Sequence, residues 1–229
     1  MTPVQTPSNL PEDASPCVLM TGFDAFGNDR LASEPVNPSW LAVQALHGSC
    51  LEGHAVVAAQ LPTVFGAATT ELMRLIAQHR PTLVVCVGQA GGRSSLSLER
   101  VAVNLTDAHI PDNAGAQPHN QPVVAGAPAA YFSTLPVTAM LKALQTAGLP
   151  AELSYSAGPF VCNHVFYGLM HALAGRSDLQ GMRGGFIHVP YVPSQGVPSL
   201  SLQDTVRGLR IAVACALTHH ESSVKKRPQ

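Results

Sequence analysis

The sequence predicts an α/β protein in which helices cover both faces of a largely parallel β-sheet. Strand-like and helical segments alternate along the chain, and the strand-like runs are apolar throughout rather than at every second residue. Both patterns are typical of parallel sheets that are buried on two sides. No internal repeat or linker interrupts them, so we predict a single domain at 17–218, between a flexible N-terminal extension at 1–16 and a C-terminal tail at 219–229.

The predicted strands are short apolar runs bounded by glycine, proline or polar residues. In chain order they cover 17–21, 55–61, 82–88, 98–105, 151–155 and 185–189. The predicted helices have apolar residues at helical spacing: one begins at Asn37-Pro-Ser-Trp40, and the others cover 65–79, 128–147, 161–174 and 202–217. A long, turn-rich loop at 111–126 remains, and loops of this length are typical of functional lids or flexible segments.

The composition restricts the class of partner. Thirteen Lys and Arg against fourteen Asp and Glu give a net charge of −1 without a basic stripe, which disfavours nucleic acid or an anionic membrane as partner. No apolar run approaches the roughly 18 residues of a membrane span. Only 12% of the residues are charged, which suggests that other subunits cover part of the surface. Five cysteines, an odd number, do not favour a disulfide scaffold, and the expected location is the cytoplasm.

Cys162 is the strongest candidate for a nucleophile. It lies between the strand at 151–155 and the helix at 161–174, where free backbone N–H groups and the helix dipole favour a thiolate. Cys86, within a predicted strand, and Cys215, on the apolar face of a predicted helix, are better explained as core residues. The alternative for Cys162 is a buried cysteine at a helix start.

Two further residues could complete a catalytic group with this thiol. His188 closes a predicted strand, and Glu99 follows the glycine-rich loop, so both fall where reactive groups of α/β sheets gather. Histidine can take the proton of the thiol, and a carboxylate can fix the histidine tautomer. Ten histidines and fourteen carboxylates allow many other trios. The alternatives are a core histidine and a surface ion pair between Glu99 and Arg100.

Metal and nucleotide sites are less well supported. Cys162, His164 and His188 could hold a metal, but they lack the paired spacings of zinc sites, so we predict neither a metal nor an organic cofactor. The loop Gly88-Gln-Ala-Gly-Gly-Arg93 has neither the dinucleotide nor the Walker pattern. Gly91 and Gly92 could bring the backbone close to a small polar ligand, or could simply form a tight turn.

Seven motifs resemble, in the same order, those of the pyroglutamyl peptidase I family, which are cysteine peptidases that remove N-terminal pyroglutamate from peptides. The resemblance covers about 17–217. The motifs are Thr21-Gly-Phe-Asp-Ala-Phe-Gly27, Asn37-Pro-Ser-Trp40, Val87-Gly-Gln-Ala-Gly-Gly-Arg93, Glu99-Arg-Val-Ala-Val-Asn104, Ile110-Pro-Asp-Asn113, Phe160-Val-Cys-Asn-His164 and Gly184-Gly-Phe-Ile-His-Val-Pro-Tyr191.

The resemblance implies a three-layer α/β/α sandwich, usually a homotetramer, with peptides that carry N-terminal pyroglutamate as substrates. It implies Cys162 as nucleophile, His188 as base and Glu99 as its acidic partner. The implied pocket has Phe23 and Phe26 on either side of the lactam ring, further walls, and hydrogen-bonding groups for the ring amide. The further walls are Ile110, Phe160 and Val161, and the hydrogen-bonding groups are Asn37 and Gln89.

Two departures from the family pattern affect the expected site. His109 stands where the family commonly has arginine, so we expect weaker support of the oxyanion or loop, or support only when His109 is protonated. The segment 28–36 is longer than usual and Ala25 replaces a common proline, which we expect to change affinity more than chemistry. The rival hypotheses are a thiol amidase acting on small lactams and an inactive module that binds pyroglutamyl peptides.

Overall fold

The structure of the protein, a computed structural model, describes residues 16–31 and 35–219. The predicted segments 1–16 and 219–229 therefore lie almost entirely outside the described residues. The strands are β1 (Cys17–Phe23), β2 (Cys50–Leu51), β3 (His54–Leu61), β4 (Leu83–Gln89), β5 (Leu96–Glu99), β6 (Val101–Val103), β7 (Ala130–Phe132), β8 (Ala151–Ser154) and β9 (Arg183–Val189). The helices are α1 (Pro38–Gln44), α2 (Ala67–His79), α3 (Val137–Thr146), α4 (Val161–Gly175) and α5 (Leu202–Thr218), with 3₁₀ helices at Gly27–Leu31 and Ser177–Leu179.

The main sheet has seven strands in the order β2-β3-β1-β4-β9-β5-β8. Its four central strands, β3, β1, β4 and β9, run parallel. At one side β5 pairs antiparallel with β9, and β8 follows β5 in parallel. At the other, the two-residue β2 pairs antiparallel with β3. The prediction of a mostly parallel sheet is confirmed, whereas the reversed direction of β5 and β8 was not predicted.

Helices cover both faces of this sheet, which confirms the three-layer sandwich. Along β4, alternate residues enter two separate hydrophobic clusters: Val85 and Val87 pack on the side of α1, α3 and α5, while Val84 and Cys86 pack on the side of α2 and α4. All four side chains are fully buried. A strand buried on both faces has no need of polar residues at alternate positions, and this explains the continuous apolar pattern.

Two predicted segments differ from the structure. The helix predicted at 128–147 begins only at Val137, because Ala130–Phe132 forms β7 and pairs antiparallel with β6. The strand predicted at 98–105 is divided at Arg100. Its backbone N–H donates to Ser154 in the main sheet, while its carbonyl accepts from Ser133 beside β7. The chain thus passes at Arg100 from the main sheet to the two-stranded one, a change set by contacts distant in sequence.

The helices of the described ranges differ from membrane spans in length and composition. None of them combines the length and the apolar character that crossing a bilayer requires.

Candidate active site

Cys162 is the second residue of α4, and its sulfur lies against the central sheet. The helix begins after Phe160, whose side chain makes no capping hydrogen bond. A Cβ atom placed on Gly88 would lie 2.8 Å from the Cys162 sulfur, closer than real Cβ atoms approach. Gly88 therefore leaves the space that the thiol needs, at the end of β4.

His188 and Glu99 meet through the pairing of β9 with β5. Ser97 lies opposite His188 and Glu99 lies opposite Phe186, so Glu99 is the diagonal neighbour of His188 on the same face. The Nδ1 atom of His188 is 2.8 Å from Oε1 of Glu99, and both side chains are buried. Since a carboxylate can only accept, the Nδ1 atom carries the proton and Nε2 is left as an acceptor.

The parallel register of β4 and β9 places Gly88 beside His188. The sulfur of Cys162 occupies the space above Gly88, so we infer that it lies on the face of the sheet that carries the imidazole. The structure therefore places the three candidate residues in one region, and we call these candidates, Cys162, His188 and Glu99, the catalytic cluster. Glu99 was expected after the glycine-rich loop, at the carboxyl ends of the strands; the structure places it on β5, which runs antiparallel to β9.

Arg93, which the sequence analysis did not select, also contacts the catalytic cluster. Its Nη1 donates to Oε1 of Glu99 at 2.8 Å, the oxygen that also faces His188, and its Nη2 donates to the carbonyl of Ser156 at 3.0 Å. The other oxygen of Glu99 is buried and has no hydrogen-bond partner within the described part of the chain. Arg100, the ion-pair partner considered from the sequence, instead lies over the ring of Phe132.

The electrostatics of the cluster differ from expectation at the thiol. Burial raises the pKa of Cys162 to about 12, and the charge of Glu99 adds to this rise, against smaller opposite effects of Arg93 and the backbone N–H. The expected bias toward a thiolate is therefore wrong for the free protein. Burial also pushes the pKa of Glu99 upward, but hydrogen bonds from His188 and Arg93 and the charge of His188 outweigh it and hold that pKa below its ordinary value.

Aromatic side chains form an apolar wall beside the sulfur. The rings of Phe26 and Phe160 lie 5.8 Å apart at 37°, and Phe65 meets Phe160 edge-on at 5.4 Å. Phe23 lies deeper, is 2% exposed and packs against Phe186. Val161, the first residue of α4, is fully buried. Of the two phenylalanines expected to face the ring, Phe26 is thus the more accessible one.

A cavity of about 310 Å³ extends from Phe26 and contains the predicted residues Gln89 and Ile110. Its lining is Phe26, Gly27, Asn28, Asp29, Gln89, Gly91, Ile110 and Tyr191. The size and the mixture of apolar and amide groups suit a small uncharged ligand. His109, the neighbour of Ile110, is exposed.

Asn37 forms hydrogen bonds that hold the loop carrying Phe26. It is 4% exposed, its Oδ1 accepts from the backbone and hydroxyl of Ser39, and its Nδ2 donates to the Asp24 carbonyl. Asn37 thereby caps α1 and holds the loop that carries Phe26. A direct bond from Asn37 to a ligand stays a prediction.

The glycines after β4 have local explanations. A Cβ atom on Gly91 would lie 2.3 Å from the ring of Tyr191, so Gly91 makes room for an aromatic ring of the cavity. Gly92 has a φ angle of +83°, which favours glycine. The close packing at Gly91 and the φ angle of Gly92 support the interpretation of the loop after β4 as a tight turn.

Two further features, His164 and a larger cavity, lie outside the catalytic cluster. The Nδ1 atom of His164 is 3.3 Å from the Thr106 hydroxyl and its ring packs edge-on against Phe65, while burial lowers its pKa. Among the described residues, no cluster of three His, Cys, Asp or Glu side chains has the arrangement of a metal site. A cavity of about 650 Å³, lined at 76–82 and 178–182, lies at the opposite, amino end of β4 and β9 and holds none of the predicted residues.

Comparisons with known proteins agree with this geometry. The family profile described as pyroglutamyl peptidase matches residues 17–219. A pyrrolidone-carboxylate peptidase of Cupriavidus necator is 55% identical over 88% of this chain and 93% of its own, and one of Bacillus licheniformis is 48% identical over 89% and 94%. The crystal structure of pyroglutamyl peptidase I from Bacillus amyloliquefaciens superimposes with a TM-score of 0.84 at 45% identity, over 89% of this chain and 98% of that one. A mutant pyrrolidone carboxyl peptidase from Pyrococcus furiosus gives 0.81 at 39% identity, over 87% and 97%.

Proposed function

The chain belongs to the pyroglutamyl peptidase family, and we propose that Cys162, His188 and Glu99 carry out its reaction. The protein is a cysteine-type hydrolase that removes N-terminal pyroglutamate from peptides. The observation that carries the proposal is the chain of contacts from Glu99 through His188 to the space over Gly88, where the sulfur lies. Nucleophile, base and orienting carboxylate are the parts that thiol hydrolysis requires.

The reaction proceeds in two stages. Nε2 of His188 takes the thiol proton while the sulfur attacks the pyroglutamyl carbonyl carbon, forming a tetrahedral oxyanion. The oxyanion collapses, the C–N bond breaks, and His188 returns the proton to the leaving amine, which departs as the shortened peptide. Water then gives a proton to His188 while its oxygen attacks the thioester carbonyl carbon. The C–S bond breaks, the sulfur takes the proton back from His188, and free pyroglutamate leaves.

The raised pKa of Cys162 determines when the proton moves. A thiol with a pKa of about 12 is protonated at neutral pH, so the resting nucleophile is the neutral thiol. Proton transfer therefore accompanies the attack instead of preceding it. The hydrogen bond to Glu99 becomes stronger as His188 acquires charge, which stabilises that transient state.

The amino end of α4 can stabilise the oxyanion. The first backbone N–H groups of a helix have no partner within it, and Phe160 does not supply a side-chain cap. The N–H of Cys162 is one of these groups. A donor of this kind typically contributes about 3 kcal/mol to transition-state stabilisation.

The cavity beside the sulfur binds the lactam ring in this proposal. Phe26, Phe160 and Ile110 contact the flat apolar ring, and Gln89 bonds the ring amide. A pocket whose polar groups are matched to the ring amide disfavours proline, because those groups are left unpaired when proline binds. Phe23, Asn37 and Val161 support the surfaces that contact the ring.

The cellular location and assembly belong to the same proposal. We expect a cytoplasmic enzyme, since Cys17, Cys50, Cys86, Cys162 and Cys215 are all free thiols. We expect a homotetramer, supported by a charged fraction of only 12%. Sedimentation equilibrium of the full chain measures the assembly, and a monomer mass at micromolar concentration would contradict it.

The experiment that tests the proposed function compares the wild type with Cys162→Ala on pyroglutamyl-aminomethylcoumarin. We expect release by the wild type and a loss of at least about 10⁴-fold in the variant, because the nucleophile is absent. Cys215→Ala, which removes a partly buried thiol of α5, is the matched control and should retain full activity.

Further arms of this experiment separate the rival functions. Prolyl-aminomethylcoumarin should not be cleaved, because it lacks the ring carbonyl. Binding without release by well-folded wild-type protein would favour the inactive binding module, and cleavage of simple lactams instead of the peptide would favour the amidase. Loss of activity with EDTA but not with iodoacetamide would favour a metal mechanism over the thiol.

A further inference from the structure

Two polar side chains of the cavity lining, Asp29 and Gln89, form a hydrogen-bonded group with Gln195, and we call these three residues the amide cluster. The Nε2 atom of Gln89 donates to Oδ2 of Asp29 at 2.9 Å. The Nε2 atom of Gln195 donates to the same oxygen at 3.1 Å and to Oε1 of Gln89 at 3.0 Å. The carboxylate thus holds both amides, and the amides also contact each other.

The chemistry of Asp29 fixes the orientation of the two amides. A primary amide can rotate by 180° and exchange its oxygen for its nitrogen at little cost unless a partner discriminates between them. A carboxylate only accepts hydrogen bonds, so it requires the nitrogen of each amide. Gln89 therefore points its nitrogen toward Asp29 and its oxygen toward Gln195.

This orientation leaves Gln89 with a defined pair of unused groups. A primary amide has two N–H donors and two carbonyl lone pairs. Among the residues that the structure describes, one donor bonds to Asp29 and one lone pair accepts from Gln195. One donor and one acceptor remain for a ligand, which is the complement of a lactam with its one carbonyl and one N–H.

We propose that Asp29 is a specificity-determining residue, which fixes the amide of Gln89 so that its free donor and acceptor match the ring amide of pyroglutamate. The inference rests on the proposed function, since it names how that site distinguishes its ring. Asp29 lines the same cavity as Gln89 and belongs to the 3₁₀ helix Gly27–Leu31. Gln195 stabilises the arrangement from the loop after β9.

The test replaces the acceptor by a group of the same shape. In Asp29→Asn the new amide can donate as well as accept, so the orientation of Gln89 is no longer fixed. We expect KM for pyroglutamyl-aminomethylcoumarin to rise about tenfold while kcat stays within about twofold, because the reacting atoms are untouched. Asp178→Asn is the matched control, since it removes the same charge from an exposed aspartate paired with Arg176.

A second measurement does not depend on hydrolysis. The lactam 2-pyrrolidone should protect Cys162 from iodoacetamide, and the concentration for half protection should rise about tenfold in Asp29→Asn but not in Asp178→Asn. If the wild type releases no aminomethylcoumarin, the proposed function fails, and this protection still tests Asp29 independently.

The remaining outcomes are also decisive. Gln195→Met removes the second donor to Asp29 and should raise KM in the same way, which provides a test if Asp29→Asn does not fold. Equal KM and equal protection in Asp29→Asn and Asp178→Asn would overturn the inference. A fall in kcat at constant KM would also overturn it, because the effect would then lie at the reacting centre.

Discussion

The catalytic cluster and the amide cluster lie at the same end of the sheet but are held in different ways. The catalytic cluster comes from two strands and a helix, and its base and carboxylate are 3% and 0% exposed. Two of the three members of the amide cluster are half-buried and lie outside the sheet and the α-helices: Asp29 in a short 3₁₀ helix and Gln195 in a turn. The groups proposed to move protons thus have fixed neighbours on regular structure, whereas the groups proposed to recognise the ring are held by one another.

This difference predicts different kinetic consequences. Loss of a member of the catalytic cluster removes an interaction made in the transition state, so kcat should fall. Loss of a member of the amide cluster removes an interaction made equally in the bound substrate, so KM should rise. Substitutions in each cluster test this division between kcat and KM. A catalytic-cluster variant in which only KM changes, or an amide-cluster variant in which only kcat changes, would contradict it.

The largest effect is expected for His188→Ala. Without the imidazole nothing accepts the thiol proton, and a thiol with a pKa of about 12 supplies almost no thiolate at neutral pH. We expect kcat to fall by about 10⁴-fold or more with KM little changed, measured on the pyroglutamyl substrate. His54→Ala on β3 is the control and should be fully active. If His188→Ala kept more than a tenth of the wild-type kcat, His188 would not be the base.

A smaller effect is expected for Gly88→Ala, which adds one methyl group beneath the sulfur. The new Cβ would lie 2.8 Å from the Cys162 sulfur and 2.8 Å from the Phe186 ring, so both must shift. A displacement of this kind can cost about 100-fold in rate. We expect a loss of that size in kcat and a changed rate of alkylation of Cys162 by iodoacetamide. Gly175→Ala at the end of α4 meets open space and is the control. Unchanged kcat in folded Gly88→Ala protein would show that the sulfur does not depend on this space.

Much of the fold could be predicted from the sequence, because periodicity is a local property. The central strands β1, β3, β4 and β9 and the helices α2, α4 and α5 were predicted within about two residues at each end. The direction of β5 could not be predicted in this way. Whether a strand pairs parallel or antiparallel with its neighbour depends on contacts distant in sequence. The same limit explains the helix predicted over β7, whose pairing with β6 overrides helical spacing.

Prediction of the candidate site has the same limit, because local patterns do not show which residues distant in sequence come together. Spacing alone proposed Cys162, His188 and Glu99 as one trio among many, and the ordered motifs selected them. Asp29 and Gln195 escaped notice because they are 166 residues apart and neither has a local signal. Gly88 did have one, since a glycine inside a buried strand often marks the close approach of another group.

The smallest effect is expected for Arg93→Met, which separates the charge of the catalytic cluster from its geometry. Arg93 shares Oε1 of Glu99 with His188; its hydrogen bond lowers the pKa of Glu99, and its charge lowers the pKa of Cys162. Its loss should therefore raise both pKa values. Glu99 then takes up a proton at higher pH, so the acidic limb of the kcat/KM profile moves upward. Cys162 ionises at higher pH, so its alkylation at a fixed alkaline pH slows by roughly tenfold per pKa unit.

The double shift distinguishes an electrostatic role of Arg93 from a merely structural one. A loosened loop would lower kcat/KM at every pH, whereas the removed charge moves the acidic limb to higher pH and slows the alkylation of Cys162. Arg74→Met, which removes a surface arginine paired with Glu71, is the control and should leave the profile in place. A profile for Arg93→Met that is lower but unmoved would assign Arg93 to holding Ser156 and the turn before α4. The catalytic cluster alone would then set the pH dependence, and the hydrogen bond from His188 would be sufficient to keep Glu99 ionised.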